Sequence, residues 1–238
     1  MRIPHVHLRW WHHLVIAAVN LVLVFLLWFA IAYGALPRLW SRHEHKHPHG
    51  RDELVSFTSQ DIPADPINLR VAGDQNAIYC AFRRADWSLA DPVSLGSGLG
   101  IVGSVVTGKA YPAAPVSSLY VQDRLQDVAF EKAEGKSADR RHHVRFWQVA
   151  PGQWLAAATF DRGVGFSLFT LQVTHHIGPD VDAERDAVAR LLVAAGGRQI
   201  SRDTSRVPSD RVHRNGGGDK YRTDGLVTGI ALPPGCPG

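Results

Sequence analysis

The sequence predicts an α+β chain: one N-terminal transmembrane helix, then a mainly antiparallel sheet domain with two or three helices. Three observations predict it. The run Leu14 to Leu36 holds twenty-three residues without a charge, and Asn20 is its only strongly polar member. At ~1.5 Å per residue it is long enough for a hydrocarbon core of ~30 Å. Beyond it, strand-like segments outnumber helical ones and are joined by short turns, the mark of antiparallel pairing. The ~185 residues after the anchor region are one domain's worth of chain, with no internal repeat. The expected organisation is a short tail over 1–13, the transmembrane helix over 14–36, a His-rich juxtamembrane linker over 37–64, the α+β domain over 65–232 and a tail over 233–238.

The first forty residues fit a retained anchor better than a cleaved signal peptide. Ala30-Ile31-Ala32 offers a small-residue cleavage site, but the apolar run exceeds the 7–15 residues usual in signals. Trp10, Trp11 and Trp40 bracket it, and tryptophan favours the headgroup level at both ends of a span. The expected location is a membrane, crossed once. Orientation is open, because Arg2 and Arg9 lie on one flank and Arg38, Arg42, Lys46 and Arg51 on the other. The formal net charge of +4 is modest and gives no case for a nucleic-acid partner. The implied partner is the lipid bilayer. Two cysteines, Cys80 and Cys236, are too few for a disulfide scaffold or a zinc ribbon. The favoured reading leaves both free, with Cys80 buried. One bridge is open to them in an oxidising compartment.

After the anchor, His43 to His49 alternates histidine with polar residues and reads as a solvated linker able to bind metal only weakly. Ile67 to Ala72 reads as a short strand. Asp74 caps a helix to about Asp86, with Ala77, Ile78, Ala81, Phe82 and Ala85 on one stripe. A Gly-rich stretch runs from Leu95 to Gly108, and Pro112 and Pro115 mark an irregular link. Val116–Gln122 and Leu125–Phe130 read as a hairpin around Asp123-Arg124. His143–Val149 and Trp154–Phe160 form a second, turning at Pro151-Gly152. Phe166 to Ile177 reads as one long strand. Asp180 to Ala195 is a helix with Val181, Val188, Leu191, Leu192 and Ala195 on one face, stopped by Gly196-Gly197. Arg198 to Asn215 reads as loop, and Leu226 to Leu232 as a closing strand.

Two glycine motifs carry little. Gly98-Leu99-Gly100-Ile101-Val102-Gly103 matches a dinucleotide fingerprint but lacks a strong preceding strand, and Asp123 falls in a turn. Asn215-Gly216-Gly217-Gly218-Asp219-Lys220 lacks the Walker spacing and reads as a flexible turn. The paired histidines, His142-His143 and His175-His176, carry more. Adjacent strand side chains point to opposite faces, so only one of each pair can join a given constellation. The alternation puts His143 with Arg145 and Trp147, His142 with Val144 and Phe146, and His176 on a polar face. The candidate polar site is therefore His143, Arg145, His176, Asp182, Glu184 and Asp219. The candidate metal set is His143, His176 and Asp180. Acids opening a helix are also expected as caps. No cofactor is firmly implied; a divalent ion such as Zn is the one the donor types would take.

Several segments, read in order, resemble a known family. They include Ala114-Pro115-Val116-Ser117-Ser118-Leu119-Tyr120, Gln126-Asp127-Val128-Ala129-Phe130-Glu131-Lys132 and Arg141-His142-His143-Val144-Arg145-Phe146-Trp147. Ala157-Ala158-Thr159-Phe160-Asp161, Thr174-His175-His176-Ile177, Asp182-Ala183-Glu184-Arg185-Asp186 and Gly216-Gly217-Gly218-Asp219 continue the series. The chain is similar to the LssY C-terminal domain family over roughly Asp65 to Leu232. The resemblance implies a bacterial envelope setting, in which the domain stands behind one anchor or joins multi-span proteins of the DedA and lipid-phosphatase kinds. It also implies an envelope or secretion-related protein partner, LssY being associated with a type I secretion locus. It implies no mechanism. Two functional expectations follow. One is a membrane-anchored accessory or binding domain of the envelope. Arg198 to Arg222, with seven Lys/Arg against three Asp, would face anionic headgroups at about 1 kcal/mol per basic residue. The alternative is a metal-dependent hydrolase acting on a phosphorylated lipid or envelope substrate.

Overall fold

The computed structural model describes residues 10–36, 38–39, 42, 54–59, 61–90, 118–135, 140–166, 168, 171 and 173–236. The Gly-rich stretch with its fingerprint and the His43–His49 linker lie outside them. The apolar run forms helix α1, Trp10–Ala30, continued by a π-helical turn over Ile31–Ala35. Among the described residues it is the one helix long and apolar enough to cross a membrane. Its side chains are almost all exposed. Ala32 is the exception and is fully buried. A hydrogen bond ties the helix to the rest of the chain, from Trp28 Nε1 to the Leu171 carbonyl, at 3.0 Å.

The remaining elements build three layers, and the observed architecture is α+β. The strands are β1 (Val55–Phe57), β2 (Pro63–Pro66), β3 (Leu69–Ala72), β4 (Ser88–Leu89), β5 (Tyr120–Val121), β6 (Arg124–Leu125) and β7 (Val128–Ala133). They continue with β8 (Arg141–Ala150), β9 (Gln153–Phe166), β10 (Val173–Ile177), β11 (Arg198–Thr204), β12 (His213–Arg214), β13 (Lys220–Tyr221) and β14 (Leu226–Ala231). The helices are α2 (Gln75–Arg84) and α3 (Val181–Ala194). The large sheet has the order β11-β14-β3-β9-β8-β7-β4, with β10 also paired to β9. All its pairings are antiparallel except β14 with β3. A smaller sheet, β2-β1-β5-β6, covers part of its second face.

The two-residue alternation of each long strand decides what lies on each side. Facing the helices, Phe130, Val144, Phe146, Trp154, Ala156 and Ala158 pack with Ile78 and Phe82 of α2 and Val188 and Leu192 of α3. Phe82 stacks on Phe130 at 4.4 Å between ring centres, and Phe146 meets both edge-on. On the opposite face Trp147 and Ala157 pack with Ala64, Ile67, Leu119 and Val121 from the small sheet and its connections. Both helices start where sequence chemistry places them. The Asp74 carboxylate accepts from Ala77 N at 2.7 Å, and Asp180 accepts from the amides of Asp182 and Ala183, filling N–H groups that have no helical partner.

Four expectations need correction. Cys80 and Cys236 are bonded to each other, with Cα atoms 5.5 Å apart: Pro233 and Pro234 carry the tail back over α2, and the Gly235 amide bonds the free oxygen of the Asp74 cap. Phe166 to Ile177 is not one strand. Strand β9 runs on to Phe166, and the chain reverses to return as β10. The first hairpin turns at Gln122-Asp123, both with positive φ, and joins β5 to β6 rather than to β7. Arg198 to Thr204 is an edge strand rather than loop.

Candidate functional site

A buried ionic cluster lies on the face of the large sheet turned away from the helices. It follows from alternation on three adjacent strands. Strand β8 presents Arg141, His143 and Arg145 at every second position; β9 presents Thr159 and Asp161; β7 presents Glu131. The registers Arg141↔Asp161, His143↔Thr159 and Glu131↔His143 bring them side by side. Strand β2 lays Asp65 over them, held by reciprocal hydrogen bonds between its backbone and the Ser56 hydroxyl. Every member is buried.

The charges are mutually paired. Arg141 bonds Glu131 at 2.5 Å and Asp161 at 2.9 Å, while Arg145 bonds Asp65 at 2.6 Å. His143 Nε2 lies 2.5 Å from the Thr159 hydroxyl and 2.8 Å from Arg145 Nη1. Its Nδ1 lies 3.3 Å from Asp161, within ion-pair range but outside hydrogen-bond geometry. Burial opposes the Asp161 charge, yet His143 and Arg141 more than offset it and hold its pKa well below the carboxylate range. Burial draws the Arg145 pKa down against the pull of Asp65 and Asp161. His175 lies within electrostatic reach. Burial, helped by the cations of Arg141 and Arg145, lowers its pKa to about 4 despite Asp161, so it is neutral at pH 7.

Hydroxyl, imidazole and carboxylate in that order resemble an activated nucleophile. Two features argue otherwise. Thr159 is fully buried and out of a substrate's reach. The Arg145 guanidinium also sits on the imidazole nitrogen that would take the hydroxyl proton. This cluster cross-links the strands β2, β7, β8 and β9.

The other sequence candidates go elsewhere. His176 bonds Asp219 through Nδ1 at 2.8 Å, and the second Asp219 oxygen accepts from the Ile177 amide. Its Nε2 packs against Gly165, where a Cβ would approach within 2.6 Å. Asp219 arrives on the Gly-rich hairpin loop, where Asn215 Oδ1 accepts from the amides of Gly217 and Asp219. Glu184 bonds His142 on the helix-covered face. Asp182 accepts from Arg185, Thr223 and the Asp224 amide. Arg185 also takes both oxygens of Asp224; burial works against its charge, but Asp224, Asp186 and Asp182 raise its pKa further. Asp180 spends its carboxylate on the helix cap. Thus His143 and Arg145 meet, His176 and Asp219 meet, and His143, His176 and Asp180 do not. Among the described residues no three His, Cys, Asp or Glu side chains come together as a metal would require.

Sequence reasoning missed Asp65, Glu131, Arg141, Thr159 and Asp161 as site members. The signal was present on β8 and β9, where charged and hydroxyl residues recur with period two on one face. Asp65 had no local signal, since only tertiary packing brings it over β8.

An α+β domain with an ion-paired inner face, entered from one long apolar helix, defines the class: a small domain joined to a single candidate membrane span. The chain belongs to the LssY C-terminus family, whose model matches residues 51–227. No curated protein and no solved structure matches it.

Proposed function

We propose that this chain is a single-pass protein of the bacterial inner membrane, and that its domain is an accessory or binding module of the cell envelope. The observation that carries the reading is the continuity of α1 with the domain: Ala32 is buried, and Trp28 bonds the chain at Leu171. The ionic cluster supports a non-catalytic role, because its one candidate nucleophile is sealed. The basic residues from Arg198 to Arg222 are all exposed and suit an anionic headgroup surface beside the anchor.

The Cys80–Cys236 bond supports a domain on the oxidising, periplasmic side, since glutathione and thioredoxin keep cytoplasmic thiols reduced. This outweighs the flanking Lys/Arg count, which is split between both ends of the span. The test is alkaline extraction of membranes, with protease treatment of spheroplasts and of inverted vesicles. The reading expects the full chain to stay in the membrane pellet and its domain to be cut only from the periplasmic face. A free product beginning near Tyr33 would defeat the anchor, and cleavage only in inverted vesicles would reverse the side.

A further inference from the structure

We infer that the tip of the β9–β10 hairpin is a second membrane contact, with Leu168 entering the interfacial lipid beside the anchor. The inference rests on the anchor reading above and adds a lipid-binding surface on the domain itself.

Depth comes first. Trp28 is eighteen residues after Trp10, about 27 Å along a helix. Within the apolar run Leu14 to Leu36, Trp28 lies eight residues, about 12 Å along a helix, before the end next to the domain, in that half of the bilayer. Tyr33 packs edge-on against Trp28 and stacks on Phe29, continuing an aromatic belt of the kind found at membrane boundaries. The Trp28 indole N–H donates to the Leu171 carbonyl at 3.0 Å. That bond holds the hairpin tip at the level of the membrane half next to the domain. It also satisfies a donor and an acceptor that would each be costly to leave unmade at low polarity.

Chemistry comes second. Leu168 is 86% exposed, the largest exposure among the large apolar residues described. It is three residues from Leu171, so the chain holds it within roughly 11 Å of that level. From Phe166 to Val173 the sequence carries no charge, so entering the interface strands no ion. Leu171 itself adopts positive φ, at 56°, a conformation that costs a residue with a Cβ. The cost falls on the residue whose carbonyl meets the anchor. The occupant this surface fits is the lipid that surrounds α1, since the surface continues directly from that helix.

The test uses the full chain with one added thiol. Cys80 and Cys236 are bonded to each other, so Leu168→Cys gives a unique label site, as do Val22→Cys within the anchor and Val149→Cys, exposed beside the β8–β9 turn at the opposite end of β9. Each carries an environment-sensitive fluorophore in phosphatidylcholine–phosphatidylglycerol vesicles containing shallow or deep nitroxide lipids. The expected result is blue-shifted emission at position 168, strong loss of fluorescence to shallow nitroxides, deep quenching at 22 and water-like emission at 149. Water-like, unquenched emission at 168 with quenching at 22 overturns this inference alone. No quenching at 22 overturns the anchor, and the inference falls with it.

Discussion

The Asp65–Arg145 pair gives the sharpest measure of what the ionic cluster does. Both side chains are about 5% exposed and their atoms are 2.6 Å apart. Arg145→Met leaves the Asp65 carboxylate buried without its cation, and breaking a buried pair this way costs about 3–5 kcal/mol. For a domain of this size, each kcal/mol moves Tm by roughly 2–4 °C, so the variant should melt about 6–20 °C lower. The double variant Asp65→Leu/Arg145→Met removes both charges. It should recover most of that loss, because well-packed apolar replacements of buried pairs are often neutral. The assay is thermal and urea unfolding of the full chain in nanodiscs, followed by circular dichroism. Arg145→Met within about 1 kcal/mol of the parent would refute the argument, as would a double variant whose cost equals the sum of the singles.

Three further outcomes follow. Reducing Cys80–Cys236, which closes a separation of 156 residues, should cost about 2–5 kcal/mol by the loop-entropy account; superimposable melts with and without reductant would contradict it. The Glu184 hydrogen bond raises the His142 pKa against partial burial, with Glu134 assisting. A raised histidine pKa stabilises the fold fully below the unfolded value of ~6.5 and loses that contribution as pH rises through the folded value. The stability gap between parent and His142→Gln should therefore be wider at pH 6 than at pH 9, by at most about 1 kcal/mol after screening; a gap that widens toward high pH would reverse the sign and sink the assignment. Gly165→Ala drives a Cβ to within 2.6 Å of His176 Nε2 and should cost about 1–3 kcal/mol, but clearly less in a His176→Ala background; equal costs in both backgrounds would show that the contact is not the cause.

The sequence made some elements legible and hid others for identifiable reasons. The long apolar helix, both domain helices and their Asp caps were readable because length, 3.6-residue stripes and capping residues agree locally. The β8–β9 hairpin was readable from Pro151-Gly152, where Gly152 takes positive φ. The reversal between β9 and β10 was not, because Phe166 to Val173 carries no Gly, Pro or Asn to mark a turn; its one trace is the break in apolar alternation at Leu168-Phe169. The turn at Gln122-Asp123 was read one residue late, around Asp123-Arg124, because no Gly or Asn marks its positive-φ positions. Strand β11 was missed because it is an exposed edge strand carrying Arg198, Ser201, Arg202 and Asp203, so no apolar period announces it. In the site, His143 with Arg145 follows from alternation alone. The partners Asp65 and Glu131 come from other strands, and their identity depends on registers that no local pattern records.

Those registers connect the buried charges to the membrane end of the molecule. A one-residue slip of β8 on its neighbours would turn Arg141, His143 and Arg145 toward the helix-covered face, against Phe130 and Phe82, where Glu184, the partner of His142, could not pair with all three. The ionic cluster thus penalises slippage more than an apolar face would. Asp161 also stands opposite Ile177 at the bulge where β10 leaves the β9 ladder. It is five residues before Phe166, so the Arg141–Asp161 pair holds the root of the hairpin whose far end bonds Trp28. If the cluster fixes that root, Arg141→Met should speed amide exchange at Gly163, Val164 and Gly165 more than at the core amides of β3, such as Val71. Uniform acceleration across both would mean global loss of stability, and unchanged exchange at the hairpin would mean its position is set elsewhere.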